Sequence, residues 1–105
     1  MTDYDDIWEA LTGSDFMGLS HWVATMSCDY REPEKPFPVT HLQEHDDDYV
    51  TTTVTPVMIK DGFIKAVEAN QHHCGHYRIE DLDNQDGCFA DIVMQYAIFG
   101  KLVFG

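Results

Sequence analysis

The sequence predicts an α+β fold: a small antiparallel sheet of about three strands, with two to three helices packed on one face and the C-terminal helix central. Three observations carry this. Apolar residues recur at helical spacing near the N-terminus, after Thr55-Pro56 and across 89–99. Tyr49-Val-Thr-Thr-Thr-Val54 is the densest run of β-formers in the chain. Prolines and aspartates between these segments mark loops and turns.

Taken in order, Tyr4, Ile7, Trp8 and Leu11 form the stripe of an amphipathic helix. Asp3, Asp5 and Asp6 lie in its first turn, where the helix dipole favours anions, and Gly13 is a stop. The next segment is ambiguous. Phe16, Leu19, Val23 and Met26 fit a helix, whereas Trp22, Ala24, Met26, Cys28 and Tyr30 alternate as a strand does. The strand, from about Ser20 to Tyr30, is the preferred reading, with Val23 as the exception to its alternation. Residues 31–38 hold three of the four prolines and read as a loop. A short strand over 39–45 is expected to pair with 49–54 in a hairpin, with Asp46, Asp47 and Asp48 at the turn.

Thr55 is an N-cap and Pro56 a first helical residue. Ile59, Phe63 and Val67 then repeat every four positions, to about Gln71. Gly62 either weakens that helix by about 1 kcal/mol against Ala or admits another backbone. Residues 72–76 form a connector, and Asp83 to Asp86 cap the last helix. Phe89, Ile92, Val93, Tyr96, Ala97 and Phe99 give it a wide apolar face, Gly100 ends it as a left-handed cap, and the tail packs back.

The 105 residues make one domain over 1–105. At 44% hydrophobic and 12% aromatic, the chain has the material for a core. No apolar run reaches the roughly eighteen residues that span a bilayer. The start is acidic where a signal peptide is basic, so a cytoplasmic protein is expected. Cys28, Cys74 and Cys88 are too few for a disulfide scaffold, and free thiols are the expectation.

Charge is the most unusual property. Nineteen acids against six bases give −13. Such self-repulsion costs stability and calls for a reason: solubility, a salty habitat or a cationic partner. The acids concentrate in residues 1–15, 29–48 and 80–91. Arg31, Lys35, Lys60, Lys65, Arg78 and Lys101 are scattered, so direct nucleic-acid or anionic-membrane binding is not expected.

Each motif that could carry chemistry also has a plainer reading. His41-Leu-Gln-Glu44-His45 matches an inverted zinc-peptidase motif, but that mechanism needs a helix and a far larger domain. Its residues read as polar strand residues. Cys74, His76, Cys88 and His72 or His73 are of zinc-ligand type, yet they lack paired spacings. Their plainer reading is a helix end finished by histidines. A Cys74–His nucleophile pair has no orienting motif. Asp81, Asp83 and Asp86 are spaced somewhat as in a calcium loop, but a loop opening at Asp81 puts Asp86 and Ile92 where it needs Gly and Glu.

The ending Phe89-Ala-Asp-Ile-Val-Met-Gln-Tyr-Ala-Ile-Phe-Gly-Lys-Leu-Val-Phe-Gly105 resembles that of small acidic proteins encoded by actinobacterial bacteriophages. The matches are Ala90, Asp91, Val93, Gln95, Ala97, Phe99, Gly100, Val103 and Gly105. Met94, Lys101 and Phe104 depart from the pattern. The resemblance implies a phage accessory protein acting in host cytoplasm, and it carries over no catalytic residue.

The function expected is therefore a non-enzymatic acidic interaction protein without a cofactor, binding a basic host protein as a monomer or small homo-oligomer. The candidate surface is Asp3, Asp5, Asp6, Asp46, Asp47, Asp48, Glu80, Asp81, Asp83 and Asp86, assisted by Tyr4, Tyr30, Phe37 and Tyr49. The alternatives are a DNA mimic that inhibits a nucleic-acid-binding protein, and a small zinc-binding domain.

Overall fold

Helix α1 (Tyr4–Gly13) leads into a three-stranded antiparallel meander, β1 (Val23–Met26), β2 (Phe37–Leu42) and β3 (Tyr49–Val54), in that spatial order. Helices α2 (Pro56–Glu68) and α3 (Gly87–Phe99) follow. These elements come from a computed structural model that describes residues 3–13, 15–16, 18–45, 47–69, 78–80, 82 and 87–104. The α+β architecture agrees with the sequence reading. Connector 72–76 and the Asp83–Asp86 cap lie outside the described residues, as does Gln71, the expected end of α2.

Helix α1 buries Ile7, Trp8, Ala10 and Leu11. Asp15 and Phe16 then take left-handed backbone angles, φ 53° and 51°. Two non-glycine residues in that region cost roughly 1–2 kcal/mol each. The reversal sets the buried Phe16 ring edge-on to Trp8, 5.7 Å between centroids.

The strand expected over 20–30 is much shorter. β1 holds four residues, and Val23 pairs with His41 while Thr25 pairs with Thr40. The register slips between them, a β-bulge that breaks period-two alternation. Val23 and Met26 therefore both turn inward while Ala24 and Thr25 are exposed. β2 also differs from expectation, beginning at Phe37 and ending at Leu42. Pro38 is tolerated inside a central strand because its carbonyl accepts from Ser27 N, beyond the end of β1. Its absent N–H therefore falls where no strand needs it. Phe37, expected as an exposed aromatic, is buried because it lies on the inner face with Val39 and His41.

The hairpin register is regular from Phe37↔Val54 to Leu42↔Tyr49. Pro38, Thr40, Thr51, Thr53 and Tyr49 share the outer face, where the Thr40 and Thr51 hydroxyls are 2.8 Å apart. None of the three strands contains Asp, Glu, Lys or Arg.

Thr55 caps α2 by accepting from Met58 N at 3.2 Å, with Pro56 opening the helix. Gly62 is there for approach. A Cβ on it would lie 2.5 Å from Ala97 N and 2.8 Å from Ala97 Cα, so the α2 and α3 backbones meet at this point. Helix α3 buries Phe89, Ala90 and every residue from Ile92 to Tyr96, which makes it the central element. Gly100, at φ 77°, ends it by donating to Tyr96 O.

Candidate functional site

Two residues one turn apart on α1 hold the proline-rich loop. Trp8 Nε1 donates to Tyr30 O at 3.0 Å, and the Tyr4 hydroxyl donates to Pro33 O at 2.6 Å. The loop is turned by Asp29, whose carboxylate accepts from Arg31 N at 2.9 Å and from the Arg31 guanidinium. These bonds hold the Asp29 carboxyl below the usual range. The result is that the acids of α1 and those of the loop, some twenty-five positions apart, stand together. The Tyr4 phenol responds to this. Burial first, then the charges of Asp5 and Glu34, push it from the ordinary 10.0 up to about 12.

Asp3, Asp5, Asp6 and Glu9 are all exposed, and among the described residues none makes an ion pair. Glu34 is exposed too. The loop's two cations are already engaged, Arg31 with Asp29 and Lys35 with Glu32. Of the expected aromatics, Tyr4 is half-buried and Tyr30 and Tyr49 are exposed.

The other acidic candidates fall elsewhere. Asp47 and Asp48 are exposed at the hairpin turn. Nearby Glu44 pairs with Lys101, a hydrogen bond that lowers its carboxyl below the ordinary range. Glu80 pairs with Arg78. Asp46, Asp81, Asp83 and Asp86 lie outside the described residues.

The structure also separates the chemical motifs. His41 is buried on β2 and bonded at both ring nitrogens, 2.7 Å to Leu42 O and 2.7 Å to the Thr52 hydroxyl. The carbonyl can only accept, so Nδ1 carries a proton. His45 is exposed on the turn. A strand thus divides the two histidines of the peptidase-like motif, and His41 is a core residue rather than a polar strand residue. Of the zinc-type candidates, His72, His73, Cys74 and His76 lie outside the described residues. Cys88 is disulfide-bonded, which corrects the free-thiol expectation, and a sulfur so engaged offers no thiolate. Cys28 is free, and burial followed by the neighbouring Asp29 raises its thiol. Among the described residues no cluster of His, Cys, Asp or Glu is placed to hold a metal ion.

One polar constellation has no counterpart among the sequence expectations. Gln95 is fully buried in α3 and makes four hydrogen bonds. Its Oε1 accepts from Val103 N and Phe104 N, each at 2.8 Å. Its Nε2 donates to Phe104 O and to Asp91 Oδ1, each at 2.9 Å. The side-chain amide thereby satisfies the backbone of the tail and fastens it to α3. Trp22 Nε1 donates to the same Asp91 oxygen at 2.6 Å, and its ring stacks on Phe104 at 5.8 Å. His21 stands 3.8 Å from the other Asp91 oxygen. The expected packing of the tail is seen, and Asp91 is spent inside the molecule rather than on its surface. The helical spacing of Asp91 and Gln95 is the available signal; nothing in the sequence shows which way that face points.

Comparison of the chain with protein families, with curated proteins and with solved structures gives no match. No described helix is long and apolar enough to cross a membrane.

Proposed function

We propose that the protein is a non-enzymatic acidic interaction protein, of the kind phage accessory factors represent, that binds a basic host protein through the α1 and loop surface. The observation that supports this most is the pair of bonds from Tyr4 and Trp8 that seat the loop on α1. Fields of neighbouring carboxylates add, and an acidic surface so concentrated steers a cationic partner and rejects anionic ones. The association depends on salt, because exposed charges are screened beyond about 10 Å at 0.1 M.

The test is capture of basic proteins from an actinobacterial lysate at low and high salt. Asp3→Asn, Asp5→Asn and Asp6→Asn combined should lose the low-salt capture, whereas Asp47→Asn with Asp48→Asn should keep it. Equal capture by both variants, or no basic protein retained at low salt, would overturn the reading. Release of the captured protein by duplex DNA would narrow it to DNA mimicry.

A further inference from the structure

Between the N-terminal ends of α1 and α2 lies a shallow cleft of about 310 Å³, lined by Tyr4, Glu34, Pro56, Val57 and Lys60. Its surface is largely apolar, from the Tyr4 ring, Pro56 and Val57. Val57 is the most exposed large hydrophobic residue among those described, at 68%. It serves no core purpose, since α2 turns Ile59, Gly62, Phe63 and Ala66 inward. Glu34 and Lys60 line the cleft, and among the described residues neither makes an ion pair. Asp5 acts on the same Tyr4 hydroxyl as Glu34. An apolar centre with a charged rim is how protein interfaces distribute their energy.

We propose that this cleft receives one aliphatic or aromatic side chain from a basic segment of the partner, with lysine or arginine on both sides of that residue. The inference rests on the acidic-surface reading and names the chemistry that the partner presents there. Size agrees, since 310 Å³ is at the lower end for small-molecule pockets and suits a single large side chain. Charge selects the flanks: Asp5 and Glu34 attract cations, while Lys60 within the cleft disfavours a cation at the central position. The same face of a second copy is a poor occupant, because it would bring an equally acidic rim against this one.

The experiment titrates the full chain at low salt with three capped pentapeptides, followed by calorimetry or chemical-shift changes. One has leucine between two lysine pairs, one has glycine in place of the leucine, and one has glutamine in place of every lysine. Burying the leucine should make the first bind about tenfold more tightly than the second. The glutamine peptide should not bind measurably. Val57→Ser should erase the difference between the leucine and glycine peptides, with the thermal melt unchanged because Val57 is exposed. Equal affinity of those two peptides, or a leucine preference that survives Val57→Ser, overturns the cleft. If both lysine peptides bind equally and the Asp3/Asp5/Asp6 variant loses them, the cleft fails and the acidic surface stands. If no lysine peptide binds at low salt, both fail.

Discussion

Trp8 and Trp22 stand at opposite ends of β2, and their indole N–H groups meet different partners. Trp8 packs on Phe37 at the start of the strand and donates to a loop carbonyl, Tyr30 O. Trp22 packs on His41 near its end and donates to a carboxylate, Asp91. Around Trp8 the rings are Tyr4, Phe16 and Phe37, and the acids remain outside in water. Around Trp22 they are His41, Phe99 and Phe104, with an acid drawn into the network. Acids equal in a net-charge count are therefore unequal in use. Asp91 serves folding, while the carboxylates of Asp3, Asp5 and Asp6 remain exposed to water.

Four variants test this contrast. The largest effect is expected at the seam that supports the Trp22 side. Gly62→Ala should gain about 1 kcal/mol of helix propensity and still lose about 3 kcal/mol net, because the new methyl meets the Ala97 backbone. A urea melt followed in a Trp8→Phe background, where fluorescence reports Trp22, would check this; a stabilised Gly62→Ala protein would refute the close seam. Next come the indoles themselves. Trp22→Phe should cost about 2 kcal/mol, because a charge-assisted hydrogen bond is lost, and Trp8→Phe about 1 kcal/mol, because a neutral one is lost. Equal losses in denaturant melts would show that the carboxylate adds nothing. The smallest effect belongs to the surface. Asp3→Asn, Asp5→Asn and Asp6→Asn together should move stability by less than about 0.5 kcal/mol, the lost favourable dipole contact offsetting relieved repulsion. A large destabilisation in a low-salt melt would mean that these acids are structural as Asp91 is.

Much of the fold is legible because local signals are strong. The Trp8 stripe, the Thr55-Pro56 helix start, the threonine-rich strand and the Gly100 stop each depend on residues within a turn or two of one another. Gly62 is legible as a choice between two readings, and the close helix contact resolves it. Pairing across the sheet is less so. The bulge that reconciles Val23 with its neighbours appears only once β1 is set against β2, and Pro38 reads as loop because a sequence does not show its free side. The candidate surface is half legible. Composition picks out Asp3, Asp5 and Asp6, but Glu34 joins them through the Tyr4–Pro33 bond, a contact across twenty-nine positions that sequence does not reveal, and Pro56 and Val57 join where the start of α2 lies beside Tyr4.

The uncharged strands have a consequence for how the molecule behaves as a whole. With threonines and a tyrosine on the outer sheet face, the strands themselves contribute nothing to a total of −13. An approaching charge therefore meets no carboxylate, lysine or arginine along the strands, and meets exposed carboxylates at α1. Long-range steering comes from carboxylates, so the threonine face can be engaged only at short range, by hydroxyls and apolar groups. The outer face of the sheet is in that sense an electrical blank on a strongly charged chain.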